Sequence, residues 1–221
     1  MKQLLVSFLF ISVFAYGQEP KKIYKDTLGN VITEEVFKEK IKSGKYSSSY
    51  QTEGDNVTYF LNNRQKAEKE FAERMQKIRD KTLNKAFPDF KLKRPDGSEV
   101  SSASLKGKTI VVNFWFIGCK PCIAEMPLLN KVVERYKGKS DIVFLAPALD
   151  EQDKLVPFLQ KNTFTYQVLC SSNELGKNVG VYAYPTHLVV DANGIIKELM
   201  VGGTESIDQA LITAIDKIVA K

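Results

Sequence analysis

The sequence predicts an α/β protein: a mixed sheet flanked by helices, preceded by a small α+β extension. Three observations predict it. From Phe87 onward, short runs of β-branched and aromatic residues alternate with helical stretches, the pattern of strands joined by helices. One run, residues 109–116 (TIVVNFWF), is almost continuously apolar, as a strand covered on both faces must be. Residues 18–85 are polar and charged, with too little apolar content for a large core of their own.

Residues 1–17 (MKQLLVSFLFISVFAYG) carry one lysine, then an apolar run from Leu4 to about Ala15. Ala15 and Gly17 stand at the small-residue positions of a cleavage site before Gln18. A run of about a dozen residues is short for a bilayer span. This reads as a cleaved signal peptide; a leader that stayed on would serve as an anchor. No cysteine stands at the cleavage point to carry a lipid.

In the extension, YKDTLGNVIT reads as a hairpin around Gly29-Asn30. Thr33 is placed to cap a short helix, EEVFKEKIK, which ends at Ser43-Gly44. KYSSSYQTEGDNVTYFL alternates on both sides of a Gly-Asp-Asn turn, a second hairpin. Asn62 or Asn63 then opens a long helix whose Ala67, Phe71, Met75, Ile78 and Thr82 or Leu83 recur at helical spacing. That stripe is expected to lean the extension on the main domain through Phe71.

The main domain covers residues 86–221. A strand at 90–92 precedes an RPDGS turn, and 109–116 is the buried strand. A helix at 119–136 follows, with Pro127 inside it as a kink. Strand 141–146, helix 154–160, strand 166–169, helix 173–179 and strand 186–190 come next. DANG turns the chain into strand 195–201, and Ser206 caps a last helix.

The formal net charge is +6, and most of the excess lies before residue 110 in mixed-sign segments such as RQKAEKEFAERMQKIRDKTLNK. Acids interrupt any stripe that could track phosphates, so no nucleic-acid partner is expected.

Export permits a disulfide, so the three cysteines, Cys119, Cys122 and Cys170, are not automatically thiols. Cys119 and Cys122 fall where the buried strand hands over to a helix. Unpaired N–H groups at a helix start stabilise a thiolate there, and Lys120 adds a positive charge. The spacing lets the second sulfur close on the first, so Cys119 attacks and Cys122 resolves. Zinc needs four ligands; beyond the pair the chain offers Cys170 and one histidine, His187, so no metal is expected. A structural staple with so small a ring would constrain the unfolded chain little. Redox chemistry is the reading, with the cysteines as redox centre and no cofactor.

NFWFIGCKPCIAEMP, followed by VYAYPTHLVVDANG, resembles the thioredoxin superfamily, and more narrowly the exported TlpA/ResA-like thiol–disulfide oxidoreductases. The likeness runs from about Ala86 to Lys221 and includes the lead-in FPDFKLKRPDGSEVSSASLKGKTIVVNFW. It implies a thioredoxin fold with an N-terminal hairpin and an inserted α/β unit at about 141–169. It matches Pro185 to the family's cis-proline, with the backbone of Tyr184 and Thr186 as the place where a substrate's extended chain pairs. Glu125 matches a glutamate three residues after the second cysteine, one turn from Cys122, placed to take the resolving thiol's proton through a water. Taken without the likeness, Glu125 is a first-turn acid favouring the helix dipole. Asn113 stands where cytosolic thioredoxins carry a buried aspartate; an amide takes no proton at neutral pH, which leaves Glu125 as the base. One departure is Gly118, where the family has an aromatic residue. The aromatic platform beside the nucleophile then falls to Trp115 and Phe116.

Cys170 reads as a small core hydrophobe, since a redox role would require it to be exposed near the pair; His187 reads as a residue of the core or sheet face, with a secondary contact to the active site as the alternative. Asn56-Val57-Thr58 is a glycosylation sequon. The expected protein is an exported, periplasmic oxidoreductase acting on protein disulfides. The likeness implies the reductase direction and a membrane electron donor, with a disulfide oxidase or isomerase of the same fold as the alternative. Two other classes remain: a non-catalytic partner-binding module, and a thiol peroxidase. The peroxidase would need a Pro-x-x-x-Thr/Ser-x-x-Cys loop that Trp115 and Phe116 do not supply.

Overall fold

The computed structural model describes residues 20–220, and the expected signal peptide lies outside them. The chain divides into two compact units inside its longest helix, between Glu73 and Arg74.

In the first unit, β1 (Lys21–Lys25) and β2 (Val31–Ile32) form the expected hairpin. Asp26 Oδ1 accepts from the N–H groups of Leu28 and Asn30, and Gly29 takes φ +89°, where a side chain would be strained. Thr33 Oγ1 accepts from the Val36 N–H and starts α1 (Glu34–Lys42). β3 (Tyr46–Glu53) and β4 (Asn56–Asn63) make the second hairpin. The strand order is β2-β1-β4-β3, with β1 and β4 parallel. Its small core is aromatic: Phe37 is buried against Tyr24 and Tyr59, ring centroids 5.1 and 6.2 Å away. The Asn63 side chain accepts from the Lys66 N–H and opens α2 (Arg64–Thr82). Phe71 is 56% exposed. The stripe is covered only from Met75 onward.

The second unit holds a separate hairpin, β5 (Lys91–Lys93) with β6 (Glu99–Ser101), and a five-stranded sheet. That sheet comprises β7 (Thr109–Phe114), β8 (Ile142–Pro147), β9 (Gln167–Leu169), β10 (Thr186–Val190) and β11 (Ile196–Val201). The order is β11-β10-β7-β8-β9. β7, β8 and β9 run parallel, and β10 is antiparallel to both its neighbours. The helices are α3 (Lys120–Arg135), α4 (Gln152–Lys161), α5 (Asn173–Val179) and α6 (Ile207–Val219), and α3 runs on through Pro127.

Period-two alternation splits β7 between two cores. Val111 and Trp115 join Leu129 and Val132 of α3 and Leu211 and Ile215 of α6. Ile110, Val112 and Phe114 join Leu175 and Val179 of α5, and the end of α2 packs there through Ile78 and Leu83. Arg79 also donates to the Leu199 carbonyl at 2.6 Å, tying α2 to β11. Asn113 belongs by parity to the first face, a polar residue in an apolar strand. This is the thioredoxin fold, with the hairpin β5–β6 ahead of it and β8-α4-β9 extending the sheet.

Candidate active site

The chain leaves the sheet after Trp115, whose N–H donates to the Pro147 carbonyl at 3.2 Å. Ile117 N–H then donates to Asp150 Oδ2 at 2.8 Å, and Cys119 N–H to the Phe116 carbonyl at 3.1 Å, which shapes the loop. Cys119 is the N-cap of α3, and its Sγ accepts from the Cys122 N–H at 3.3 Å. Pro121 occupies the first turn, where its missing N–H costs nothing. The two cysteines form a disulfide with Cα atoms 5.3 Å apart. Cys119 keeps 5% of its surface and Cys122 none, so an incoming sulfur reaches Cys119 first.

The register pairs Thr186 with Phe114, which puts Pro185 at the sheet end where the cysteine loop begins. The Tyr184–Pro185 peptide is cis, and the Pro185 carbonyl accepts from the Gly202 N–H at 2.9 Å. Gly203 then passes close over α3. A Cβ there would lie 3.2 Å from Pro121 Cβ and 3.6 Å from Glu125 Oε2. Pro121, Ala124, Glu125, Leu128 and Gly203 line an open groove of about 290 Å³. A larger cleft of about 640 Å³ lies at the opposite end of β7, beside Thr109, Asp191 and Lys197; it touches none of these residues and is not where the chemistry sits.

Two expected substrate contacts need correction. Trp115 is 0% exposed, its rings packed on Phe158 and Phe164 and its Nε1 donating to the Ala146 carbonyl at 3.3 Å. A side chain with no surface cannot be a docking platform. Thr186 is also buried, held between β7 and β11, with its hydroxyl donating to the Ala183 carbonyl at 2.8 Å. Phe116 and Tyr184 are half-buried instead and meet edge to face, centroids 5.4 Å apart. A Cβ on Gly118 would stand 3.1 Å from the Phe116 ring. The glycine that replaces the family's aromatic residue thus leaves room for Phe116.

Below the disulfide the core is polar. Glu125, 3% exposed, lies with Oε1 3.1 Å from Nε2 of His187, 1% exposed. The separation is within ion-pair distance, but the groups are not aligned as a hydrogen bond. Asn113 sits directly opposite His187 in the β7–β10 register. The Tyr166 hydroxyl is buried nearby; burial, and then the Glu125 charge, push its pKa up. None of the side-chain polar atoms of Asn113, Glu125, Tyr166 and His187 has a hydrogen-bond partner among the described residues. The sequence reading singled out Glu125, noted Asn113, placed His187 first in the core with an active-site contact as the alternative, and gave Tyr166 no role. The available signal was an ionisable residue, the chain's one histidine, inside the apolar strand THLVV just after Pro185.

A sheet of this order, with one sulfur of a dithiol pair shown to solvent at the start of the helix after its central strand, defines a thiol–disulfide oxidoreductase of the thioredoxin superfamily. Residues 83–199 match the model of the AhpC/TSA family, and the chain belongs to that family. Thioredoxin-like protein YneN of Bacillus subtilis (strain 168) is 32% identical over 117 residues, 52% of this chain and 69% of that protein. Thiol-disulfide oxidoreductase ResA of Bacillus thuringiensis subsp. konkukian (strain 97-27) is 32% identical over 120 residues, 53% of this chain and 69% of ResA. Among solved structures, a thiol:disulfide interchange protein of the thioredoxin family from Chlorobium tepidum TLS superposes with a TM-score of 0.52 at 27% identity, covering 60% of this chain and 95% of that one.

Proposed function

We propose that this protein is exported and reduces disulfides in protein substrates, with Cys119 as nucleophile and Cys122 as resolver. The observation that carries the reading is the graded burial of the pair, which lets a substrate sulfur meet Cys119 but not Cys122. In the reduced protein the Cys119 thiolate, favoured by the unpaired N–H groups of the α3 start, attacks one sulfur of a substrate disulfide. A mixed disulfide forms and the other substrate sulfur leaves as a thiolate. Cys122 gives its proton to Glu125 and attacks Cys119 Sγ; the bond to substrate breaks and the second thiol departs. Two electrons have passed to the substrate, and the Cys119–Cys122 disulfide remains. Pro185 and the Tyr184 backbone hold the substrate's extended chain, and Phe116 flanks it.

Each turnover consumes a dithiol, so an electron donor must restore it; in an oxidising compartment that donor is a membrane protein. Export is supported by residues 1–17, and no helix among the described residues is long and apolar enough to cross a membrane. The test is trapping. Reduced Cys122→Ser protein mixed with a disulfide-bonded protein accumulates a covalent complex that dithiothreitol releases, whereas Cys119→Ala protein accumulates none. Equal trapping by both variants, or by neither, would contradict the reading.

A further inference from the structure

We infer that His187 is a positioning residue for resolution: with Glu125 it forms a buried two-group proton acceptor beneath Cys122, and without it Glu125 is no longer an effective base. The inference rests on the reading that Cys122 resolves the mixed disulfide and passes its proton to Glu125.

The argument starts from burial. A carboxylate withdrawn from water and left alone binds a proton and stops being a base. Glu125 is not alone, because the imidazole of His187 lies 3.1 Å from its Oε1. Two such groups act as one acceptor, in which a proton can sit on either of them. When Cys122 ionises, the proton leaves Sγ for the pair, and the positive charge the pair gains balances the new thiolate. The Cys122 thiolate attacks Cys119 Sγ, the sulfur–sulfur bond to substrate breaks, and the electron pair leaves on the substrate sulfur. The pair returns the proton to that departing thiolate, so atoms and charge balance over the step.

Placement supports this role. His187 lies in β10, held between β7 and β11 and two residues after the cis-proline, so its backbone position is tied to the substrate loop. The other groups facing the pair do not duplicate it. Cys122 and Cys119 come from the start of α3. Tyr166, just before β9, keeps its phenol proton because burial and the Glu125 charge oppose ionisation. Glu205, from the loop before α6, lines the same groove as Glu125 but is exposed and solvent-screened. α6 and β11 bring Ile207, Leu211 and Met200 to this core. Asn113, opposite His187, cannot titrate.

The test uses the reduced full-length protein and 5,5′-dithiobis(2-nitrobenzoate), which releases one coloured thiolate when Cys119 attacks and a second when Cys122 resolves. Stopped-flow absorbance between pH 5 and 9 separates the two phases. In the wild type the second phase is expected to depend on an ionisation well below the ordinary cysteine value of about 8.5. His187→Gln, which keeps hydrogen bonding but does not titrate, and His187→Leu should lower the ratio of second-phase to first-phase rate about tenfold, a part of the about 10²–10⁴-fold that a whole general base supplies. Both should also shift the second phase towards the unassisted thiol ionisation. Glu125→Gln should do the same, and the double variant should be no slower than Glu125→Gln, since the two groups act as one. A wild-type second phase that follows only an unassisted thiol ionisation overturns the inference, even if no variant folds. So do His187 variants with the wild-type ratio and profile, or a double variant whose loss is the product of the two. A wild type with no second phase, or a Cys122→Ser protein that retains one, overturns the reading of Cys122 itself.

Discussion

Trp115 and Phe116 are chain neighbours with opposite roles, and the difference is parity. Trp115 continues the alternation of β7 into the α3-facing core, while Phe116 lies past the last sheet contact and folds over Gly118. Trp115→Ala should therefore cost stability, about 3–5 kcal/mol by urea denaturation, because it empties a fully buried site. Phe116→Ala should cost less stability and should slow reduction of a protein disulfide more than that of a small aromatic disulfide. A stable Trp115→Ala protein with weakened substrate binding would reverse these assignments. Cys119, Cys122 and Pro185 were legible because their types and spacing carry their chemistry. His187 was legible only as an ionisable residue in an apolar strand beside Pro185; no local pattern in the chain reports the carboxylate that faces it from α3.

The helices and strands were legible where periodicity was strong and buried. Residues 173–179 and 186–190 are helix and strand as the pattern indicates, and the continuous apolar run became the central strand β7. Edges were harder to read: α4 begins at Gln152, two residues before the expected start, because Glu151 takes the extended conformation of a cap without a Ser/Thr/Asn/Asp signal. Nor did spacing show how α3 is fastened to α6. Tyr136, at the end of α3, donates to Asp216 Oδ1 at 2.6 Å, and Arg135 Nη2 lies 3.3 Å from Asp216 Oδ2. Burial first, then the Asp216 hydrogen bond, raise the Tyr136 pKa from 10.0 to about 12. A phenol whose pKa is raised by folding stabilises the fold fully below its unfolded value and loses that contribution as pH climbs through the folded one. The urea midpoint should therefore fall between about pH 10 and 12, and Tyr136→Phe should show a smaller fall over that window. An equal fall in both proteins would mean that this phenol is not coupled to folding.

For the molecule as a whole, composition shifts near residue 86, but the structural division lies inside α2 at Glu73/Arg74. The core on the α5 side draws on Ile78 and Leu83, whereas the α3-facing core begins at Val111. A protein beginning at residue 74 should therefore melt cooperatively, and one beginning at residue 86 should melt at a lower temperature because it lacks Ile78, Arg79 and Leu83. Identical melting of the two pieces would show that the end of α2 contributes nothing. The central claim, that Cys119 and Cys122 form a reversible reducing centre, is tested most directly by the reduction potential of the whole protein. It is measured by equilibration in thiol–disulfide buffers and read by mass-shifting alkylation, with Cys119→Ala as control. The account predicts full interconversion at about −250 mV or below, in the thioredoxin range. A value near −120 mV, about that of a strong oxidant, would reverse the direction of electron flow. A pair that never interconverts would contradict the claim outright.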